Sequence, residues 1–171
     1  MSESTKIRVF QADDFKLVID FISDIIVNEF KFKLELDTLD SDIIAIDETY
    51  NKSNRGCFWV AQTIDHDDYY SIKHQKIVGT AAVRNMRSFE STCELKRMYV
   101  LCGFRRLGLG QKLLDTAIDF AKSIGYSRMV LDSSKTLYAA RALYLKNGFA
   151  DIPKYNDNYR PNVFMQRKFS P

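Results

Sequence analysis

Arg105 to Gly110 reads R-x-x-G-x-G, and it stands between a strand pattern and a helix pattern. Glycines at such a junction let backbone approach a ligand closely. The first amides of the following helix have no internal partner, and with the helix dipole they make an anion site suited to a pyrophosphate. The local charge agrees, because from Glu94 to Lys112 one acid stands against Lys96, Arg97, Arg105, Arg106 and Lys112. Two better-known phosphate loops do not fit. Gly103 and Gly108 have the Walker A separation, but Leu109 and Gly110 follow where Lys and Ser or Thr are required. A dinucleotide fingerprint starting at Gly108 would put its third glycine on Leu113. A glycine turn with incidental arginines is the remaining plain reading.

Other reactive side chains are sparse. Cys57, Cys93 and Cys102 lie far apart with no C-x-x-C, and His66 and His74 are the only histidines. Neither a zinc site nor a disulfide framework is expected, and a reducing compartment fits. Cys102 lies beside the loop and could accept an acyl group, but no His is near in sequence, so a structural role is expected.

The elements that must hold the loop are legible in hydrophobic periodicity. Ile7–Phe10 alternates as a strand, and Asp13-Asp14 offers an N-cap to a helix carrying Leu17, Val18, Phe21, Ile22, Ile25 and Ile26. Lys31 to Tyr50 is acidic, with Ile43, Ile44, Ile46 and Tyr50 suggesting a weaker second helix. Cys57–Ala61 and Ile77–Val83 read as buried strands joined by a polar hairpin loop that holds the histidines. Cys93–Leu101 is a third. Leu113, Leu114, Ala117, Ile118, Ala121 and Ile124 then define a helix closed by Gly125. Met129–Leu131, a helix over Ala139–Asn147 ended by Gly148, and a strand over Val163–Met165 complete the chain. The expected fold is mixed α/β, one domain over residues 1–171.

Composition sets the outer limits. With 171 residues, 46% hydrophobic and 27% charged, the chain is a globular protein, not a fibrous or disordered one. Its net charge of +3 does not call for nucleic acid or an anionic membrane. No apolar run reaches the ~18 residues of a membrane span, and the N-terminus has no apolar signal region, so a cytoplasmic protein is expected.

Arg105-Arg106-Leu107-Gly108-Leu109-Gly110 resembles the acyl-CoA pyrophosphate loop, Q/R-x-x-G-x-G/A, of the GNAT superfamily of N-acetyltransferases. Glu94 to Val100 is similar to that family's central strand, and Ala140 to Phe149 to its A-x-x-L-Y-x-K-x-G-F helix. The element order matches from Ile7 to Phe169. The resemblance implies a splayed central sheet with helices on both faces, and acetyl-CoA as co-substrate without a metal. It implies that backbone of Met98, Tyr99 and Val100 pairs with the pantetheine arm. Amides from Arg105 through Arg106, Leu107, Gly108, Leu109, Gly110 and Gln111 would hold the pyrophosphate. Tyr144 would protonate the leaving thiolate, although from pattern alone it is a core residue on an apolar helix face. Leu137 departs from the pattern, since many members have a pantetheine-binding Asn seven residues before that Tyr.

Glu94, which several members use as a general base, shares strand parity with Lys96, Met98 and Val100. The competing reading is a solvated residue or an ion partner of Lys96 or Arg97. Lys96 and Arg97 could themselves contact substrate, or be solvated. The amine acceptor is expected between Glu29-Phe30 and the segment starting at Tyr155, where aromatics with a few acids suit a small cation. The implied activity is acetyl transfer to a small-molecule primary amine in a ternary complex. Acylation of a protein lysine or N-terminus, and a non-catalytic acyl-CoA sensor, are the rivals. Val163–Phe169 is a candidate edge for pairing two subunits.

Overall fold

Residues 57–63 and 77–83 carry no charged side chain, and both become central strands with nearly every residue buried. The computed structural model describes residues 4–64 and 76–169, so His66 and His74 lie outside it. Its strands are β1 (Ser4–Val9), β2 (Cys57–Ile64), β3 (Lys76–Asn85), β4 (Thr92–Val100), β5 (Arg128–Ser133), β6 (Ala150–Asp151) and β7 (Val163–Lys168). They form one sheet in the order β1-β2-β3-β4-β5-β7-β6. The β4–β5 pair is parallel and the others are antiparallel. β7 is therefore an inner strand, covered by β6 over Met165 and Gln166, and not the edge expected for subunit pairing.

Helices lie on both faces. Helix α1 (Phe15–Asp24), extended by a π turn over Ile25–Glu29, packs Val18, Ile22, Ile25 and Ile26 on Phe58, Val60 and Ala82. On the opposite face α3 (Leu109–Ser123) and α4 (Tyr138–Lys146) cover Trp59, Val83, Leu95, Met129 and Leu131. Leu113 and Leu114 of α3 are fully buried, a contribution of about 1.5–3 kcal/mol each.

Two local expectations give way to tertiary pairing. Asp14 is no simple cap: it takes a bidentate ion pair from Arg8 at 2.6 and 2.7 Å and accepts the Gln11 N–H at 2.8 Å. The second helix is reduced to a 3-10 turn over Ser41–Ile43 and the single turn α2 (Ile46–Thr49), because Asp40 and Asp42 turn inward to Arg97.

Two irregularities of β4 shape the site. β4 and β5 stay in register only over Thr92–Glu94 and Arg128–Val130, and then part. On its other side, the pairing passes from Thr80↔Tyr99 to Ala82↔Lys96, so β4 carries one extra residue. Arg97 occupies this bulge with φ 50°, a region costly for a side chain with a Cβ. The bulge overturns the parity read from sequence. Glu94 and Lys96 face the α1 side, whereas Met98 and Val100 pack with the apolar residues under α3 and α4.

Candidate active site

Where β4 and β5 separate, a cavity of about 410 Å³ opens, lined by both strands, the π turn that follows α1, α4 and the segment around Arg160. Tyr144 forms part of its α4 wall and is 6% exposed. Among the described residues its hydroxyl has only a weak acceptor, Met98 Sδ at 3.8 Å. Burial, then the neighbouring Tyr99 and the Asp132 carboxylate, push the Tyr144 phenol above its ordinary value. It therefore stays protonated through neutral pH, as a proton donor must.

The loop before α3 supplies the anion cradle. Gly108 is the N-cap residue with φ 80°, so the chain enters α3 through a left-handed residue that glycine accepts without strain. The amides of Leu109, Gly110 and Gln111 begin the helix and lack intrahelical acceptors. Arg106 also has positive φ, at 62°, and with Leu107 it is exposed. Arg105 turns toward the cleft instead: Nε donates to Val100 O at 2.8 Å and the guanidinium pairs with Glu29 at 2.6 Å. Gln111 and Asn147 exchange amide hydrogen bonds at 2.9 and 3.0 Å, fastening the start of α3 to the end of α4.

The structure distributes the expected acceptor and acid–base residues differently. Glu29 and Phe30 line the cavity, with Phe30 edge-on to Tyr99 at 5.9 Å between ring centres. Glu94 and Tyr155 do not line it. Glu94 is 0% exposed, held by Arg84 at 2.6 Å and by the Tyr155 hydroxyl, which donates at 2.8 Å. Both carboxylate oxygens are engaged, so the place expected for a general base is taken by a buried ion pair with the adjacent strand. Tyr155 packs on Phe164 and donates to Glu94. Leu137, in place of a polar side chain, lines the cavity.

Several site residues carried no sequence signal of their role. Asp132, at the end of β5, faces Lys96 across the parting strands at 3.7 Å. Asp40 bridges two arginines, Arg97 at 3.0 Å and Arg160 at 2.9 Å. Asp42 also receives Arg97 and the Tyr50 hydroxyl. Asp40 and Asp42 of the acidic stretch thus serve as buried ion partners, whereas its Asp37, Asp47 and Glu48 are exposed. Asp132 does have a retrospective cue: an acid that directly follows the apolar run Met129–Leu131 sits at the mouth of a buried strand. Cys93 and Cys57 are inert, because burial pushes their thiols up to about 12 and about 11.

Among the described residues, no helix is long and apolar enough to cross a membrane. Comparison with known proteins agrees with the geometry. The profile of the acetyltransferase (GNAT) family matches residues 22–149. An uncharacterized N-acetyltransferase of Schizosaccharomyces pombe is 31% identical over 155 residues, 91% of this chain and 86% of that protein. A probable N-acetyltransferase, camello, of Xenopus tropicalis is 33% identical over 111 residues, 65% of this chain. That match spans about half, 46%, of the Xenopus protein. Among solved structures, an acetyltransferase of the GNAT family from Staphylococcus aureus Mu50 superposes with a TM-score of 0.82 at 28% identity, covering 96% of this chain and 99% of that one. The family profile covers most of the chain, and this chain belongs to the GNAT family of acetyltransferases.

Proposed function

We propose that the chain transfers an acetyl group from acetyl-CoA to the primary amine of a small molecule, by direct attack while both are bound. The observation that carries this reading is the cleft itself, whose lining brings Tyr144 together with Glu29, Phe30 and Arg160. Acetyl-CoA supplies the activated acyl group as a thioester. The residues present fit it, because the α3 amides after Gly108 suit a pyrophosphate and the β4 edge beyond Glu94 has no registered partner on the β5 side among the described residues.

Met98, Tyr99 and Val100 supply backbone groups to the arm. The amides of Met98 and Tyr99, next to the bulge, are assigned to the negative charge that develops on the carbonyl oxygen. An alkyl ammonium must lose two protons to become an amide N–H. As the C–N bond forms and the C–S bond breaks, Tyr144 gives its proton to sulfur, one of the two amine protons restores the Tyr144 hydroxyl, and the other passes to solvent. Glu94 stabilises β4 through Arg84 and takes no proton in this scheme. A chamber of this size favours a small acceptor over a folded protein surface. The test is thiol release from acetyl-CoA against a panel of amines, alongside calorimetric CoA binding. Turnover with at least one small amine is expected, and tight CoA binding with no turnover on any acceptor would replace this reading with a binding module.

A further inference from the structure

Lys96 and Asp132 face each other where β4 and β5 part, with side chains 13% and 12% exposed. Their separation of 3.7 Å is longer than a hydrogen bond, so the three ammonium donors of Lys96 are weakly used. Asp132 is more firmly set. Its Oδ2 accepts from Asn156 Nδ2 at 2.9 Å and from Asn158 Nδ2 at 3.5 Å, which leaves Oδ1 toward Lys96. Both residues line the cavity that holds Tyr144.

A second donor lies in the same wall. Arg160 is fixed by Asp40 and by Lys33 O at 2.6 Å, yet its buried Nε has no hydrogen-bond partner among the described residues. Charge balance narrows the ligand further. Lys96, Arg97 and Arg160 stand against Glu29, Asp40 and Asp132 in the lining, so its formal charges cancel. A ligand with no net charge but separated ammonium and carboxylate enters without leaving a buried charge uncompensated; a bare alkyl ammonium does not. Ile26, Phe30, Phe32 and Leu39 add apolar wall to the same cavity, and Ser133 and Asn158 add polar wall beside Asp132.

On the reading of this cleft as an acetyl-transfer site, we infer that Lys96 and Asp132 form the acceptor subsite for a free α-amino acid with an apolar side chain. Asp132 takes the α-ammonium and Lys96 the α-carboxylate, each replacing the other's long ion pair with a closer one. The same arrangement keeps the nitrogen in the cavity that Tyr144 also lines. A peptide N-terminus lacks the adjacent carboxylate and is a poorer fit.

The wild-type protein with acetyl-CoA is assayed for thiol release on matched sets: phenylalanine, phenylalanine amide and phenethylamine, with the leucine and methionine series beside them. The free amino acid is expected to exceed its amide and its amine in kcat/KM by roughly 10- to 100-fold, the range of one charged hydrogen-bonded pair. Lys96→Gln is expected to erase that ratio by lowering the amino-acid rate alone. Asp132→Asn is expected to raise KM for all three, with CoA affinity by calorimetry unchanged in both variants. Equal or better use of the amide or the amine by the wild-type protein, with CoA binding intact, overturns the amino-acid subsite and leaves acetyl transfer standing. CoA binding without turnover on any acceptor overturns both.

Discussion

Arg97 and Asp42, separated by 55 positions in the chain, meet through two hydrogen bonds, with Nε donating to Oδ2 at 2.9 Å. Arg97 is also the bulge residue of β4, so the conformation of the strand beside the cleft depends on a carboxylate from the acidic segment. Removing one partner leaves a buried charge. Arg97→Met is expected to destabilise the protein by about 3–5 kcal/mol in denaturant unfolding. A loss within half a kilocalorie would show that the pair does not hold the bulge.

Acid should weaken the same link. Burial alone would raise the Asp42 pKa, but Arg97 and the Tyr50 hydroxyl outweigh it and hold the carboxyl at about 2, against 3.8 for a free aspartate. A depressed folded pKa adds stability above the unfolded value, and that stability is lost as pH falls through the folded one. The expected contribution is about 2 kcal/mol, present above pH ~4 and gone near pH 2. Unfolding free energies of wild type and Asp42→Asn across that window measure it, and parallel curves would remove the assignment.

Tyr144→Phe isolates the proton donor. The hydroxyl has a single weak contact, to Met98 Sδ, so stability should change little. Turnover should fall by about 10²-fold or more while CoA affinity is retained. Unchanged kcat would reduce Tyr144 to a packing residue.

Glu94→Gln separates a base from a structural acid. Because Glu94 is fully buried against Arg84 and Tyr155, the variant is expected to lower Tm while keeping the wild-type pH profile of kcat. Loss of the acidic limb of that profile, with Tm unchanged, would restore the base assignment.

Gly108→Val probes the anion cradle. An added Cβ would meet nothing within 4 Å, so the penalty comes from φ 80° and not from a clash. About 1–2 kcal/mol of stability should be lost, with weaker CoA binding by calorimetry. Gly108→Asn, which tolerates this region better, should recover most of both.

Local signals were readable from the chain, and relations between distant segments were not. The loop over Arg105–Gly110 and the helix behind it are encoded within a few residues, by glycine placement and a 3.6-residue period, and both appear where expected. The β4 alternation failed because its bulge falls on an arginine, which carries no local mark of positive φ and is held by Asp40 and Asp42. The buried pairing of Glu94 was unreadable for a related reason. Its partner, Arg84, sits on the neighbouring strand at Glu94's register position, which requires knowing the pairing of β3 and β4. The second helix gave way because its aspartates gained more from buried guanidinium groups than from a helical turn. Asp132 and Lys96 are ordinary strand residues until β4 and β5 separate between them.

That separation means that the cleft is preorganised. Among the described residues, β4 and β5 part after three paired positions and leave an unzipped edge of β4 beside the cleft. On the other side of β4, the bulge holds Arg97 at φ 50°, a costly conformation kept in place by its buried carboxylate partners. Each catalytic cycle then starts from a groove already shaped for an extended arm, so association should be governed by encounter and desolvation more than by rearrangement.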